Sequence, residues 1–531
     1  MTDAREAVAG RVTGETRHMG TQLRSPTPAG GSELGEPASR APFELSEPAS
    51  HAPSELGEPA SVAPSELAEP ASAAPSELEV RSPWSGEVVG RVPLASRAEV
   101  RATLHRAASA PVALSRHERA EALFGVERRL GERAEELARL ITAESGLCLR
   151  DTRHEVRRAR DVFRFAAMEA LRDEGETFAC DVSAHGRPRR AHTLRVPVRL
   201  AVGITPFNHP LNQVAHKAAP AMAAGAPLVV KPSERTPLAA LALEGIAHEA
   251  GWPPDAFRVL CADPAAFLDE ALAHDDVDVV TFTGGVAVGK AIADRLGYRR
   301  AVLELGGNDP LIVLEDADLD EAADLAVSGA FRNSGQRCTA LKRILAVEAV
   351  ADALVERIAT RASGLVAGDP LDPASDLGTV IDAEAAAELC ARVAEAVEDG
   401  ADLLLGGTHE GALMAPTMLD RVLPGARLVA TETFGPVAPV IRVRDLDEAI
   451  AVANGTPYGL SSGVCTHDWR AIQRCVRELR VGTVNVRAEP GFRTELTPFG
   501  GVGDSGLGVK EGVREAMRAM TTTRLYTLPW G

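Results

Sequence analysis

Apolar residues recur at helical spacing over residues 96–110, 115–145 and 150–172, which predicts three consecutive helices, and the stretch SPWSGEVVGRVPLAS before them reads as a hairpin. After a polar, Arg-rich connector at 174–197 the pattern alternates. Strands are predicted over 198–205, 227–231, 256–260, 277–283 and 300–305, separated by helices over 211–224, 236–250, 264–273 and 287–297. Strands alternating with helices of this length imply parallel βαβ units, hence an α/β fold with an open, doubly wound sheet and a nucleotide at the C-terminal ends of its strands.

The first 80 residues follow a different rule. An 11-residue unit recurs as SELGEPAS at 32, FELSEPAS at 43, SELGEPAS at 54 and SELAEPAS at 65, then fades at SELEV from Ser76. Each unit carries a central proline (Pro37, Pro48, Pro59, Pro70) and is followed by another (Pro42, Pro53, Pro64, Pro75), which breaks any helix of that period. With five basic and thirteen acidic residues in this segment and few large apolar ones, its ordering entropy is not offset. Residues 1–78 are therefore expected to form a disordered spacer or docking tail.

Composition narrows the chemistry. The formal net charge of −18 and the lack of a Lys/Arg-rich block disfavour a nucleic-acid partner. No apolar run reaches membrane-spanning length, so no membrane association is expected. Seven cysteines without a CxxC pair fit a reducing cytoplasm, and the thirteen histidines show no ligand spacing, so no metal is expected. Glycines 284, 285 and 289 in FTGGVAVGK suit either a phosphate at a helix N-terminus or a tight strand-to-helix turn, and they depart from GxGxxG.

Seven motifs occur in order: TPFNHP (205–210), VVKPSE (229–234), FTGG (282–285), LELGGNDP (303–310), GQRC (335–338), ETFGP (432–436) and PFGGVGDSGLG (498–508). Together, over about residues 80–531, they resemble the NAD(P)-dependent aldehyde dehydrogenase superfamily. The resemblance implies a Rossmann-type cofactor domain (79–173 and 198–305), an α/β catalytic domain (306–512), and an oligomerisation arm with a C-terminal strand (174–197 and 513–531). It further implies a homodimer or homotetramer in which the C-terminal strand near TRLYTLP reaches the arm from a partner.

The resemblance also assigns roles that each residue type can perform. Cys338 is the expected nucleophile, since a thiolate attacks an aldehyde carbonyl and the resulting thiohemiacetal is a good hydride donor. Asn208 and the backbone N–H of Cys338 would hold the oxyanion. Glu304 would activate the hydrolytic water, which separates this chain from members that acylate coenzyme A. Lys231, Ser233 and Glu234 would meet the adenosine ribose, Gly284, Gly285 and Gly289 the pyrophosphate, and Glu432 and Phe434 the nicotinamide end. A carboxylate at 234 would repel a 2′-phosphate and so favour NAD over NADP. One departure stands out: Gly285 replaces a common serine.

Arg337, directly before the nucleophile, and His209, directly after Asn208, are unusual for members acting on neutral aldehydes. Arg158 and Arg493 are candidates to join them, and guanidinium groups bind oxyanions bidentately. The expected substrate is a small anionic aldehyde. FNHPLN, GQRCTALKR, GFRTELTPFGG and LYTLPW are most similar to phosphonoacetaldehyde dehydrogenases, with nonphosphorylating glyceraldehyde-3-phosphate, lactaldehyde and semialdehyde dehydrogenases as alternatives. A coenzyme A-acylating enzyme and a non-catalytic binding protein are the more distant readings.

Overall fold

The computed structural model describes residues 76–110, 112–172, 174–508 and 511–530, so the proline-rich repeats lie outside the described residues. The first described residues lie inside the segment assigned to the tail: the last repeat unit, SELEV, becomes the strand β1 (Ser76–Arg81), paired antiparallel with β2 (Val88–Leu94). Val80 and Val92 are buried in this hairpin.

Helices α1 (Arg97–Ala108), α2 (Arg116–Glu132), α3 (Ala134–Ser145) and α4 (Leu149–Ala170) follow. Capping boxes at Ser96/Glu99 and Ser115/Glu118 start α1 and α2, and Gly146 in the left-handed region ends α3. The single helix expected over 115–145 is thus two. The chain leaves helical geometry at Arg133 (φ −102°, ψ 18°), just after Gly131, where the Arg160 guanidinium of α4 lies so close that a Cβ would come within 2.9 Å of it.

The arm strands β3 (Thr177–Ala179) and β4 (Arg189–Pro197) lead into the alternating segment: β5 (Leu200–Ile204), α5 (Asn212–Ala224), β6 (Leu228–Lys231), α6 (Leu238–Glu249), β7 (Phe257–Val259), α7 (Pro264–Ala273), β8 (Val277–Thr283), α8 (Val286–Ala293) and β9 (Arg300–Glu304). These five strands form a parallel sheet in the order β7-β6-β5-β8-β9. The chain reverses its winding between β5 and β8, and a crevice opens there beyond the strands' C-terminal ends. Strand ends and the loops just after them therefore place Asn208, Lys231, Gly284 and Glu304 along one edge.

The second half adds β10 (Asp309–Val313), α9 (Leu319–Phe331), β11 (Leu341–Val347), α10 (Glu348–Ala362), α11 (Ala383–Glu398), β12 (Asp402–Leu405), the small hairpin β13 (His409–Glu410) and β14 (Leu413–Met414), β15 (Thr417–Asp420), α12 (Arg427–Ala430), β16 (Val437–Val443), α13 (Leu446–Ala453), β17 (Ser461–Cys465), α14 (Trp469–Glu478) and β18 (Thr483–Val486). Its seven-stranded sheet runs β12-β15-β16-β11-β10-β17-β18, parallel except at the β12 edge. Only four residues, Leu305–Asn308, separate β9 from β10. The N-terminal ends of the second sheet therefore meet the C-terminal ends of the first.

The C-terminal residues depart from the expected arm. Residues 513–519 form α15 (Val513–Ala519), a helix that packs on α4 and α5 with Val513 and Ala516 buried, and only β19 (Thr521–Pro529) joins the arm. β19 pairs with β4 of its own chain over nine residues, from Thr521 opposite Pro197 to Pro529 opposite Arg189. The partner-supplied strand is replaced by an intrachain one. The short turn after α15 delivers β19 directly alongside β4, so no exchange is needed to satisfy that edge.

One buried carboxylate ties the helical layer to the cofactor sheet. Glu144 at the end of α3 accepts from the backbone N–H groups of Leu238 (2.7 Å) and Ala239 (3.0 Å), the open N-terminus of α6. Glu144→Ala would leave two buried donors unpaired and is expected to lower stability by about 2–4 kcal/mol, with Glu144→Gln losing less; denaturant melts of the two variants check this ordering.

Candidate active site

The loop carrying Cys338 is held in an unusual backbone path. Asn333 (φ 59°), Ser334 (φ 50°) and Gly335 (φ 68°) run consecutively in the left-handed region, which disfavours side chains at the first two positions. Hydrogen bonds hold this conformation: Asn333 N–H donates to Asp151 Oδ2 (2.7 Å), Asn333 Nδ2 donates to the Asn208 carbonyl (3.1 Å), and Ser334 Oγ donates to the Gly378 carbonyl (3.1 Å). At Gly335 a Cβ would lie 2.0 Å from the Gly435 carbonyl oxygen, so only glycine lets this loop touch the ETFGP loop.

Two cavities result, one on each side of the loop. The first, about 200 Å³, is lined by Asn208, Gly284, Gly285, Glu304, Cys338, Glu432 and Phe434 among others. The second, about 390 Å³, is lined by Arg158, His209, Arg337 and Arg493, together with His154, Arg332 and Glu489. Neighbours in sequence thus face opposite ways: Asn208 and Cys338 look into the first cavity, His209 and Arg337 into the second. A wider cavity of about 570 Å³ shares Asp151, His154 and Arg332 with the second and contains no nucleophile.

In the first cavity, Asn208 Nδ2 donates to the Gln336 carbonyl (2.8 Å), which fixes the amide plane and leaves its second hydrogen for another acceptor. Glu304 is buried at the end of β9, bridged to Gly506. Burial pushes the Cys338 thiol up to about 11, with Asp309 and Glu432 acting in the same direction against Lys342 and Arg493. The resting group is then a protonated thiol, which loses its proton before it can act as a nucleophile.

The proposed cofactor side chains are engaged with one another. Lys231 Nζ donates to Glu234 Oε2 (2.7 Å); burial works to raise the Glu234 carboxyl, but the lysine outweighs it and holds the group below the usual carboxylate range. Ser233 is buried beside them and its Oγ accepts from Arg235 N–H. Gly285 is the N-cap of α8 without a side-chain cap, and a Cβ built on it meets nothing within 4 Å, which leaves room for a phosphate group at the helix N-terminus. Gly289 instead packs against Leu305, where a Cβ would come within 2.3 Å, so its role is helix packing. Glu432 Oε1 accepts from Gly307 N–H (3.1 Å) and Lys342 Nζ (3.2 Å), and Phe434 meets Phe207 edge-on. The residues present fit a dinucleotide.

In the second cavity the four expected cations differ in what they have left to give. Arg337 Nη2 donates to the carbonyls of Ser328 (3.3 Å) and Gly329 (2.7 Å) and to Glu489 Oε2 (3.3 Å), so much of its fork is spent on the end of α9. Arg158 is paired through Nε with Glu495 (2.5 Å), which His216 also contacts (2.6 Å). His209 Nδ1 sits 3.6 Å from Glu155 Oε2, and burial lowers its pKa. Arg493 stacks on Phe499 (3.8 Å), and its buried Nη1 makes no hydrogen bond.

Sequence reasoning missed Arg332, which shares the Glu489 carboxylate with Arg337 and has its pKa lowered by burial and by Arg337. It also missed His154, pushed down to about 3 by burial and by Arg332, Arg158 and Arg157. No signal in the sequence marks these two, since His154 reads as an ordinary polar position of a helix and Arg332 as one just after a helix. Burial is the larger cause of both depressed values, and the neighbouring arginines add to it.

The chain belongs to the aldehyde dehydrogenase family, which it matches over residues 70–526. It is 39% identical over 411 residues to the sulfoacetaldehyde dehydrogenase of Neptuniibacter caesariensis, covering 77% of this chain and 90% of that protein. It is 36% identical over 455 residues to the 3-sulfolactaldehyde dehydrogenase of Priestia aryabhattai, covering 85% and 94%. Among solved structures it is similar to the NADP-dependent glyceraldehyde-3-phosphate dehydrogenase of Bacillus halodurans complexed with NADP, at TM-score 0.83 and 36% identity over 86% of this chain and 96% of that one. Aldehyde dehydrogenase 21 of Physcomitrella patens, in complex with the reaction product succinate, gives TM-score 0.83 and 34% identity over 87% and 96%.

The state of the thiol has a direct readout. With the Cys338 pKa at about 11, its thiolate fraction rises about tenfold per pH unit below that value, so alkylation of Cys338 by iodoacetamide without aldehyde or cofactor should accelerate about tenfold from pH 7 to 8 and again to pH 9. A rate that levels off near pH 7 contradicts this.

Proposed function

We propose that the chain oxidises a small aldehyde carrying a phosphonate or similar dianion, phosphonoacetaldehyde first, to the carboxylic acid with NAD as cofactor. The observation that carries this is the placement of Cys338 and the adjacent Arg337 in two cavities on either side of one loop, one containing the nucleophile and the other rich in arginine. Reacting carbon and anionic tail would then be gripped by neighbouring residues.

Cys338 gives up its thiol proton to solvent and adds through sulfur to the aldehyde carbon, and the carbonyl π pair moves to oxygen. Asn208 Nδ2 and the Cys338 N–H are the donors available to that oxyanion, each worth about 3–4 kcal/mol in a dry site. When bound by Lys231, Ser233, Glu234, the start of α8 and the Glu432–Phe434 segment, NAD supplies the acceptor for the hydride that leaves the thiohemiacetal carbon, so a thioester remains on Cys338. Glu304 then takes a proton from water, whose oxygen bonds to the thioester carbon as the C–S bond breaks, releasing the acid and the free thiol. A buried carboxylate at 304 supports hydrolysis over acyl transfer to coenzyme A.

Four arginines (Arg158, Arg332, Arg337 and Arg493) and four carboxylates (Asp151, Asp161, Glu489 and Glu495) line the second cavity; Glu489 faces Arg332 and Arg337, Glu495 pairs with Arg158, and Arg493 keeps an unpaired donor, which supports an anionic tail. Sulfonated aldehydes, named for two relatives, are the second reading. For the cofactor, an ionised Glu234 held by Lys231 supports NAD over NADP. The exposed Leu525, Tyr526, Leu528 and Trp530 of the arm support assembly into a homodimer or homotetramer.

Cys338→Ala is expected to abolish NADH formation while NAD binding persists, as measured by calorimetry. In Arg493→Leu, kcat/KM for phosphonoacetaldehyde should fall about tenfold to a hundredfold, while that for propanal changes less than about threefold. Equal losses on both aldehydes would remove the anionic tail from the account, and a wild-type preference for sulfoacetaldehyde over phosphonoacetaldehyde would favour the second reading.

A further inference from the structure

Lys342 is the second residue of β11 and one of the largest fully buried side chains. A buried ammonium is costly unless every donor is used. Here Nζ donates to the carbonyl of Arg337 (2.9 Å), to the carbonyl of Cys338 (2.8 Å) and to Glu432 Oε1 (3.2 Å), and it lies 5.7 Å from the centre of the Phe434 ring. All three hydrogens go to the two loops that frame the first cavity.

This arrangement sets the direction of the peptide between Arg337 and Cys338. In a trans peptide the carbonyl and the N–H point opposite ways. A carbonyl of Arg337 turned to Lys342 therefore turns the Cys338 N–H away from it, and among the described residues no acceptor takes up that N–H. Resting on the reading of Cys338 as nucleophile, we propose that Lys342 is a positioning residue that aims the Cys338 N–H at the oxyanion site and favours ionisation of the neighbouring thiol, while holding Glu432 at the cofactor side.

The thiol is faced by charges of both signs. Lys342 and Arg493 favour the thiolate, Asp309 and Glu432 oppose it, Arg158 interacts with it, and Glu304 lines the same cavity. Lys342 is the first of these cations in effect and the one whose hydrogen bonds reach the nucleophile's own carbonyl. Its removal should therefore act on the thiol more than loss of a distant arginine.

The test compares wild type with Lys342→Gln, which keeps an amide donor without the charge, and with Lys342→Arg, which keeps the charge. Cys338 alkylation by iodoacetamide is followed by peptide mass spectrometry from pH 7 to 10, alongside steady-state turnover with NAD. In Lys342→Gln the alkylation rate at pH 8 should fall about tenfold and kcat about tenfold to a hundredfold with KM within about threefold, while Lys342→Arg keeps the wild-type pH profile to within about threefold. Wild-type alkylation and kcat in Lys342→Gln overturn the proposal, as does a Lys342→Arg profile displaced as far as that of Lys342→Gln. If Lys342→Gln does not fold, Lys342→Arg decides by the same criterion. Alkylation of wild-type Cys338 that leaves NADH formation intact would instead remove the nucleophile reading, so the two failures are distinct.

Discussion

Three consecutive left-handed residues, Asn333, Ser334 and Gly335, are the constraint on which the site depends. Two of them carry side chains in a conformation that costs on the order of 1–3 kcal/mol each, and that cost is offset by bonds from Asp151, Asn208, Gln336 and Gly378. The bonds come from α4, from the loop after β5, and from the segments around the second sheet. Distant elements are thus drawn onto one loop, and the sharp path they enforce is what turns Arg337 and Cys338 towards different cavities.

Around that loop the two sheets act as opposed edges. Parallel βα architecture puts functional residues at strand ends, and the four-residue passage from β9 to β10 makes the ends of one sheet face the beginnings of the other. Glu304 arrives from the first edge, Cys338 and Glu432 from the second. The buried ammonium of Lys342 then joins the latter two. The first cavity is lined by the carboxylates Glu304 and Glu432, the latter bonded to Lys342, and the arginines gather on the second, among carboxylates that pair with them.

Much of this was legible in the sequence. The strand alternation placed β5 to β9 to within about two residues, because buried parallel strands such as LAVGI and LVVK leave a mostly apolar run. The motifs named Asn208, Glu304, Cys338, Glu432 and Phe434, and the structure brings these five into one cavity. What stayed hidden depends on long-range pairing. That Arg158 meets Glu495 or that Arg337 meets Glu489 follows from contacts between positions more than 150 residues apart. A lysine in a strand reads as solvated, so Lys342 gave no signal before its partners were visible. The pairing of β19 with its own β4 needed the position of α15.

The central claim is that Cys338 carries the acyl group and Glu304 releases it. The most direct measurement is intact-protein and peptide mass spectrometry of Glu304→Gln after mixing with NAD and phosphonoacetaldehyde. The account predicts one equivalent of NADH formed in a burst and a phosphonoacetyl group retained on the peptide containing Cys338. A burst with no mass added to that peptide, or full steady-state turnover in this variant, would contradict it.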